Sequence, residues 1–217
     1  SNTDDLGYVG ESIQRVVAAL GGRVPVIGFV GAPFTMASYM IDGGPSKNFL
    51  KTKQMMYHDE TLWRRLMGKL VDVLGTFAVM QAASGARVIQ VFDSWVGALG
   101  PDDYVRYVAP YSRALIERIR TASVPVIHFG TGAGAYFREL HAAGGDIMGV
   151  DWRVNIDQAW MDISYRSAVQ GNLDPALLLS GNDAVRTATG ALVKTMQAVD
   201  GGTRCLVNLG HGIHRTT

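Results

Sequence analysis

The chain of 217 residues has a single cysteine, Cys205, which excludes a disulfide framework and a thiolate zinc cage built by this chain alone. It has no excess of either charge. Twenty Lys and Arg oppose 19 Asp and Glu, a formal +1, so no field steers the whole molecule toward nucleic acid. No uninterrupted apolar run reaches the ~20 residues that a membrane-spanning helix requires. No secretory signal is visible at the start, and Ser1-Asn2 reads as a remnant of tag cleavage rather than native sequence. Neither phosphate-loop signature occurs: the turn Gly28-Phe29-Val30-Gly31-Ala32-Pro33-Phe34 lacks the G-x-G-x-x-G spacing, and no G-x-x-x-x-G-K-[ST] is present. The expected compartment is a reducing cytoplasm.

What is present is globular: 47% hydrophobic and 18% charged residues, which excludes disorder. Short β-rich runs that end in glycine or aspartate alternate with helical stretches. The runs are 24–31 (VPVIGFVG), 87–94 (RVIQVFDS), 124–130 (VPVIHFG), 146–152 (DIMGVDW), 167–174 (SAVQGNLD) and 204–212 (RCLVNLGHG). Each has a near-continuous apolar centre, as strands buried on both faces require. Between them, Ile13, Val16, Val17 and Leu20 follow helical spacing, as do Leu62, Leu66, Leu70, Val73, Phe77 and Met80. A third stripe holds Leu115, Ile116 and Ile119, with Pro110 positioned to kink or restart it. Asn155 and Asn182 are expected to cap two more helices. The alternation, without linker or repeat, predicts one domain over 1–217, a parallel α/β fold of about six βα units. Six strands suit either an open sheet or an incomplete (β/α)₈ barrel.

A barrel gathers its functional groups at the C-terminal ends of its strands. Those positions hold Phe29, Asp93-Ser94, His128, Asp151-Trp152, Gln170, Asn172, Asp174, Asn208 and His211. Asp151, Asn172 and Asp174 suit turn and cap roles equally well. His211 sits in Gly210-His211-Gly212, where the glycines permit close approach of a ligand and the imidazole titrates near neutral pH. Ser94 lacks a G-x-S-x-G elbow and reads as a hydrogen-bonding rather than a nucleophilic serine. Tyr39 falls in the long connection after the first strand, where packing against that loop is the alternative to a site role. His58, His141 and His214 read as surface residues.

Five segments in order, 28–44 (GFVGAPFTMASYMIDGG), 88–101 (VIQVFDSWVGALGP), 149–152 (GVDW), 169–175 (VQGNLDP) and 208–213 (NLGHGI), resemble the uroporphyrinogen decarboxylase family. The resemblance implies a (β/α)₈ barrel, usually a homodimer. It implies removal of the four acetate carboxyl groups of uroporphyrinogen III, without metal or organic cofactor. It also implies site roles: Tyr39 and Ser94 as substrate-binding hydroxyls, Phe29 lining the cleft beside the tetrapyrrole, and His211 against a substrate carboxylate, with Tyr39 and His211 as the catalytic pair. The family's R-Q-A-G-R-Y motif and the F-S-D segment, whose aspartate binds the pyrrole NH groups, are not found in these residues. The family also continues into a closing helix beyond the position of Thr217. The expectation is therefore an internal piece of the enzyme, with little activity by itself. A corrinoid:coenzyme M methyltransferase of the same fold would need zinc, but His128-Phe129-Gly130 has glycine where that family's thiolate stands. A non-catalytic binding protein on the same fold is the alternative outside enzymes.

Overall fold

The computed structural model describes residues 6–44 and 46–213. The strands are β1 (Ile27–Gly31), β2 (Val88–Asp93), β3 (Val126–Gly130), β4 (Ile147–Gly149), β5 (Ala168–Leu173) and β6 (Cys205–Leu209). All pair in parallel and in sequence order, β1-β2-β3-β4-β5-β6, and β1 and β6 remain the two edges. The sheet curls strongly. Gln90 of β2 and Gln170 of β5 lie three strands apart, yet their side-chain amides bond at 3.2 Å across the concave face. This is the incomplete barrel anticipated from the strand count.

The helices are α1 (Gly7–Leu20), α2 (Pro33–Asp42), α3 (Leu50–His58), α4 (Glu60–Ala83), α5 (Pro101–Tyr107), α6 (Ala109–Arg120), α7 (Phe137–Ala142), α8 (Ile156–Asp162) and α9 (Asn182–Asp200). They cover the convex side of the sheet. Trp63, Met67 and Ala78 of α4, Leu115, Ile116 and Ile119 of α6, and Ile89, Val91 and Val126 of the sheet form one buried core. Strand parity assigns the sides, since successive side chains point to opposite faces. Ile89 and Val91 meet the helices, whereas Gln90 and Phe92 face the hollow. At the β1 edge, Gln81 of α4 accepts from the main-chain N–H of Phe29 at 3.0 Å and donates to its carbonyl at 2.8 Å. That pairing blunts an edge which would otherwise offer unpaired groups to another chain.

The β1–β2 connection differs from the expected loop plus one helix, because it contains α2, α3 and α4. Pro33 occupies the first turn of α2, where its missing N–H costs nothing. Gly43 closes α2 in the left-handed region, φ 81°. Tyr39 is therefore a helical residue and not part of a loop. Pro110 does restart the chain: α5 ends at Tyr107 and α6 begins at Ala109. Neither proposed asparagine cap acts through its side chain. Asn155 makes no capping bond, and Asn182 is the first residue inside α9, after Gly181. Among the described helices, α4 has the length and hydropathy to cross a membrane. Lys69 and Asp72 interrupt its apolar run, and here the helix packs on α2, α6 and β1.

Candidate active site

The C-terminal ends of the strands open into a cavity of about 380 Å³. Its walls carry Gln90 and Phe92 of β2, Phe129 of β3, Gln170 of β5, and Asn208 of β6, with Ser94 and His211 from the turns beyond β2 and β6. One side is apolar. Phe29, Phe92 and Phe129 form a row across β1, β2 and β3, each ring meeting the next edge to face, with centroids 6.0 and 5.9 Å apart. The rest of the lining carries the amides of Gln90, Gln170 and Asn208, the Ser94 hydroxyl and the His211 imidazole. A cavity of this kind orients a large, partly apolar ligand with a few polar contacts.

His211 is held in place by the neighbouring turn. A Cβ on Gly210 would fall inside the main chain of Asp151 and Trp152, so only glycine allows this approach. The Gly210 N–H donates to the Leu173 carbonyl at 2.7 Å. The His211 ring then meets Trp152 edge to face at 5.6 Å. Behind Trp152, the buried Asp151 carboxylate accepts from the N–H of Gly132, and from the N–H and guanidinium of Arg153, the last two at 2.9 Å. The Arg153 guanidinium lies over the face of Trp152 at 3.8 Å.

Two buried titratable groups stand on the helix side. Asp93 accepts from the Thr35 hydroxyl at 2.9 Å, and the Trp95 N–H donates to the same Thr35 oxygen at 3.3 Å. This ties the Ser94 turn to α2, the helix that carries Tyr39. Burial pushes the Asp93 carboxyl up to about 7, partly opposed by Thr35, so it is largely the neutral acid below that pH. His128 points away from the hollow, and its Nδ1 bonds the Gly144 carbonyl at 2.8 Å. Burial pushes it down to about 4, which leaves a neutral imidazole. Among the described residues, no group of three or more His, Cys, Asp and Glu could hold a metal ion.

Of the residues singled out from the sequence, Ser94, Gln170, Asn208 and His211 share the cavity. Phe29 borders it through Phe92 but is 63% exposed. Tyr39 does not line it. Its ring meets Trp95, next to Ser94, at 5.7 Å. Asp174 accepts from the Ala176 N–H at 2.9 Å and caps the 3₁₀ turn Pro175–Ser180. Asn172 donates to the Asp151 and Val154 carbonyls at 2.9 and 2.6 Å, so both residues serve the backbone. His58 is exposed, but His141 is half-buried with Nε2 3.0 Å from the Ser167 hydroxyl. His214 lies outside the described residues. Gln90, Phe92 and Arg153 carried no recognisable signal in the sequence; only their parity within strand or turn marks them.

A family model for uroporphyrinogen decarboxylase (URO-D) matches residues 1–217. The uroporphyrinogen decarboxylase of Solibacter usitatus (strain Ellin6076) is 71% identical over 213 residues, 98% of this chain and 61% of that protein. That of Carboxydothermus hydrogenoformans is 43% identical over 216 residues, covering 99% of this chain and 60% of its own length. The chain thus spans about three fifths of the length of these curated relatives. Among solved structures, a methyltransferase from Methanosarcina mazei aligns over 96% of this chain and 59% of its own, with a TM-score of 0.78 and 20% identity. That likeness concerns the fold alone.

Proposed function

The chain belongs to the uroporphyrinogen decarboxylase family, and from that premise we propose that its cavity binds uroporphyrinogen III for decarboxylation of the four acetate side chains to methyl groups, giving coproporphyrinogen III. The observation that carries this reading is the convergence of Ser94 and His211, with a row of three phenylalanines, on the C-terminal face of the sheet. In each step the pyrrole ring takes up a proton on carbon. The acetate C–COO⁻ bond breaks, its electron pair flows into the protonated ring, CO₂ leaves, a second proton completes the methyl group, and the first proton departs from the ring carbon to restore the pyrrole. The substrate is its own electron sink, so the protein supplies position and electrostatics rather than a cofactor.

Division of labour follows from residue type. The phenylalanine row offers apolar contact to pyrrole rings. In this reading Ser94 and His211 hydrogen-bond carboxylates from the cavity wall, and His211 and Tyr39 act in proton transfer, Tyr39 from outside the lining, beside Trp95. Among the described residues no carboxylate lines the cavity: Asp93 is buried toward α2, and Asp151 beneath Trp152 and Arg153. The positive charge that develops on the protonated pyrrole therefore needs a carboxylate from outside these residues. The proposal includes a homodimer in the cytoplasm.

The test is anaerobic conversion of uroporphyrinogen III by the 217-residue chain, alone and joined to the flanking segments of the Solibacter relative. The joined protein is expected to turn over, and the chain alone to be slower by at least ~10²-fold, the typical cost of one lost electrostatic group. Absence of turnover in both would refute the reading. Equal rates would refute the external carboxylate. Activity lost to a chelator and restored by zinc would favour methyltransferase-type chemistry instead.

A further inference from the structure

A second hollow, of about 410 Å³, shares Ser94 with the first. Lys47 and Arg153 both line it, with Phe49, Trp95 and Thr131. Among the described residues no acidic side chain lines it, and the carboxylate that pairs with Arg153, Asp151, lies behind the wall rather than in it. Arg153 is unusual for a half-exposed arginine. Its guanidinium is fixed from behind by the buried Asp151 carboxylate at 2.9 Å and from the side by the Trp152 ring at 3.8 Å. Fixing a long side chain costs conformational entropy that a simple surface ion pair does not recover. The same fixing removes that cost from a later binding event. The floor is also under-satisfied: Trp95 Nε1 and Thr131 Oγ1 are buried with no hydrogen-bond partner among the described residues.

We infer that Lys47 and Arg153 form a carboxylate subsite beside Ser94, one that grips a side-chain carboxylate of the tetrapyrrole while the ring occupies the adjoining cavity. This deepens the decarboxylase reading and rests on it. Ser94, on the wall common to both hollows, marks where the side chain crosses from one to the other. Because Trp152 touches both Arg153 and His211, an anion on Arg153 is sensed next to the imidazole. Lys47 acts as a mobile point charge and Arg153 as the oriented fork.

The experiment uses glutarate, a small dicarboxylate, as the probe. Nuclear magnetic resonance of the ¹⁵N-labelled chain follows the Arg153 Nε–Hε signal, assigned by its loss in Arg153→Lys, together with the Ser94 and Gly132 amides. Glutarate is expected to shift all three saturably, and Lys47→Ala, an exposed loop change, to weaken binding about tenfold, the worth of one charge-assisted hydrogen bond. Arg153→Lys should weaken the response at the two amides by a similar factor. Uroporphyrinogen III, added anaerobically, should displace glutarate. No saturable shift, or shifts unchanged in both variants, would overturn the subsite even if uroporphyrinogen binds the main cavity. Glutarate binding that uroporphyrinogen fails to displace would overturn its assignment to the tetrapyrrole. No uroporphyrinogen binding anywhere would remove the functional reading itself.

Discussion

The two faces of the curled sheet obey different rules. On the helix side, Ile89, Val91 and Val126 are fully buried against Trp63, Met67 and Leu115, in a continuous apolar core. On the hollow side, one residue along each strand, stand Gln90, Phe92, Phe129 and Gln170, whose polar atoms and rings open to a cavity. A shift of one residue exchanges these roles, since the strand period is two. The same backbone thus devotes one set of positions to stability and the alternate set to recognition.

The largest expected effect breaks the helix side. Trp63 is fully buried, and its Nε1 donates to the Tyr107 carbonyl at 2.9 Å. Trp63→Ala should lower unfolding free energy by about 3–5 kcal/mol, from lost burial and the cavity left behind. Urea denaturation checks it, and a loss below about 1 kcal/mol would mean the core collapses to fill the space.

On the hollow side, His211→Asn in the joined, active protein should cost on the order of 10²-fold in kcat/KM while moving Tm by no more than a few degrees. A large fall in Tm with unchanged kinetics would make this histidine structural and undo the division between the faces.

A third measurement uses the two titratable groups misplaced by parity. Folded His128 stays neutral down to about 4, whereas the unfolded side chain binds a proton below its ordinary 6.5. It therefore contributes stability that is complete above 6.5 and lost as pH falls toward 4, at ~1.4 kcal/mol per unit. Asp93 runs the other way. The folded carboxyl holds its proton up to about 7, the unfolded one releases it near 3.8, and stability is lost as pH rises between them. Over pH 4 to 6.5 the two slopes oppose each other. Asp93→Asn should uncover stability that rises with pH across this window, and His128→Gln stability that falls, each by about 1.4 kcal/mol per unit. Parallel pH profiles in the two variants would contradict both burials.

The smallest effect sharpens the boundary. Asp174 lies at a strand end but only caps a turn, so Asp174→Ala should cost about 1 kcal/mol and leave kcat/KM unchanged. A kinetic loss would extend the site past β5.

Much of this was legible from sequence because buried parallel strands are continuous apolar runs, and all six runs became strands. Ser94 was legible as the polar residue just past a strand, and His211 through its flanking glycines, which the close packing of Gly210 on Trp152 explains. Parity was not legible inside those runs. With both faces buried there is no alternation to read, so His128 looked like a site residue while its neighbour Phe129 lines the cavity. α2 and α3 were missed for a related reason. In α2, Phe34, Thr35, Ala37 and Ser38 are all buried, leaving no clear polar face, and α3 buries only Thr52 and Met56. Arg153 was invisible because its meaning comes from Asp151 and Trp152 holding it.

The most direct test is backbone chemical-shift mapping of the ¹⁵N-labelled 217-residue chain with uroporphyrinogen III under anaerobic conditions. If the hollow side is the binding face, saturable shifts will cluster at Gln90, Phe92, Ser94, Phe129, Gln170 and His211, with the centres of α4 and α6 silent. Shifts concentrated on those helices, or none at all, would show that the strand ends are not where the substrate binds.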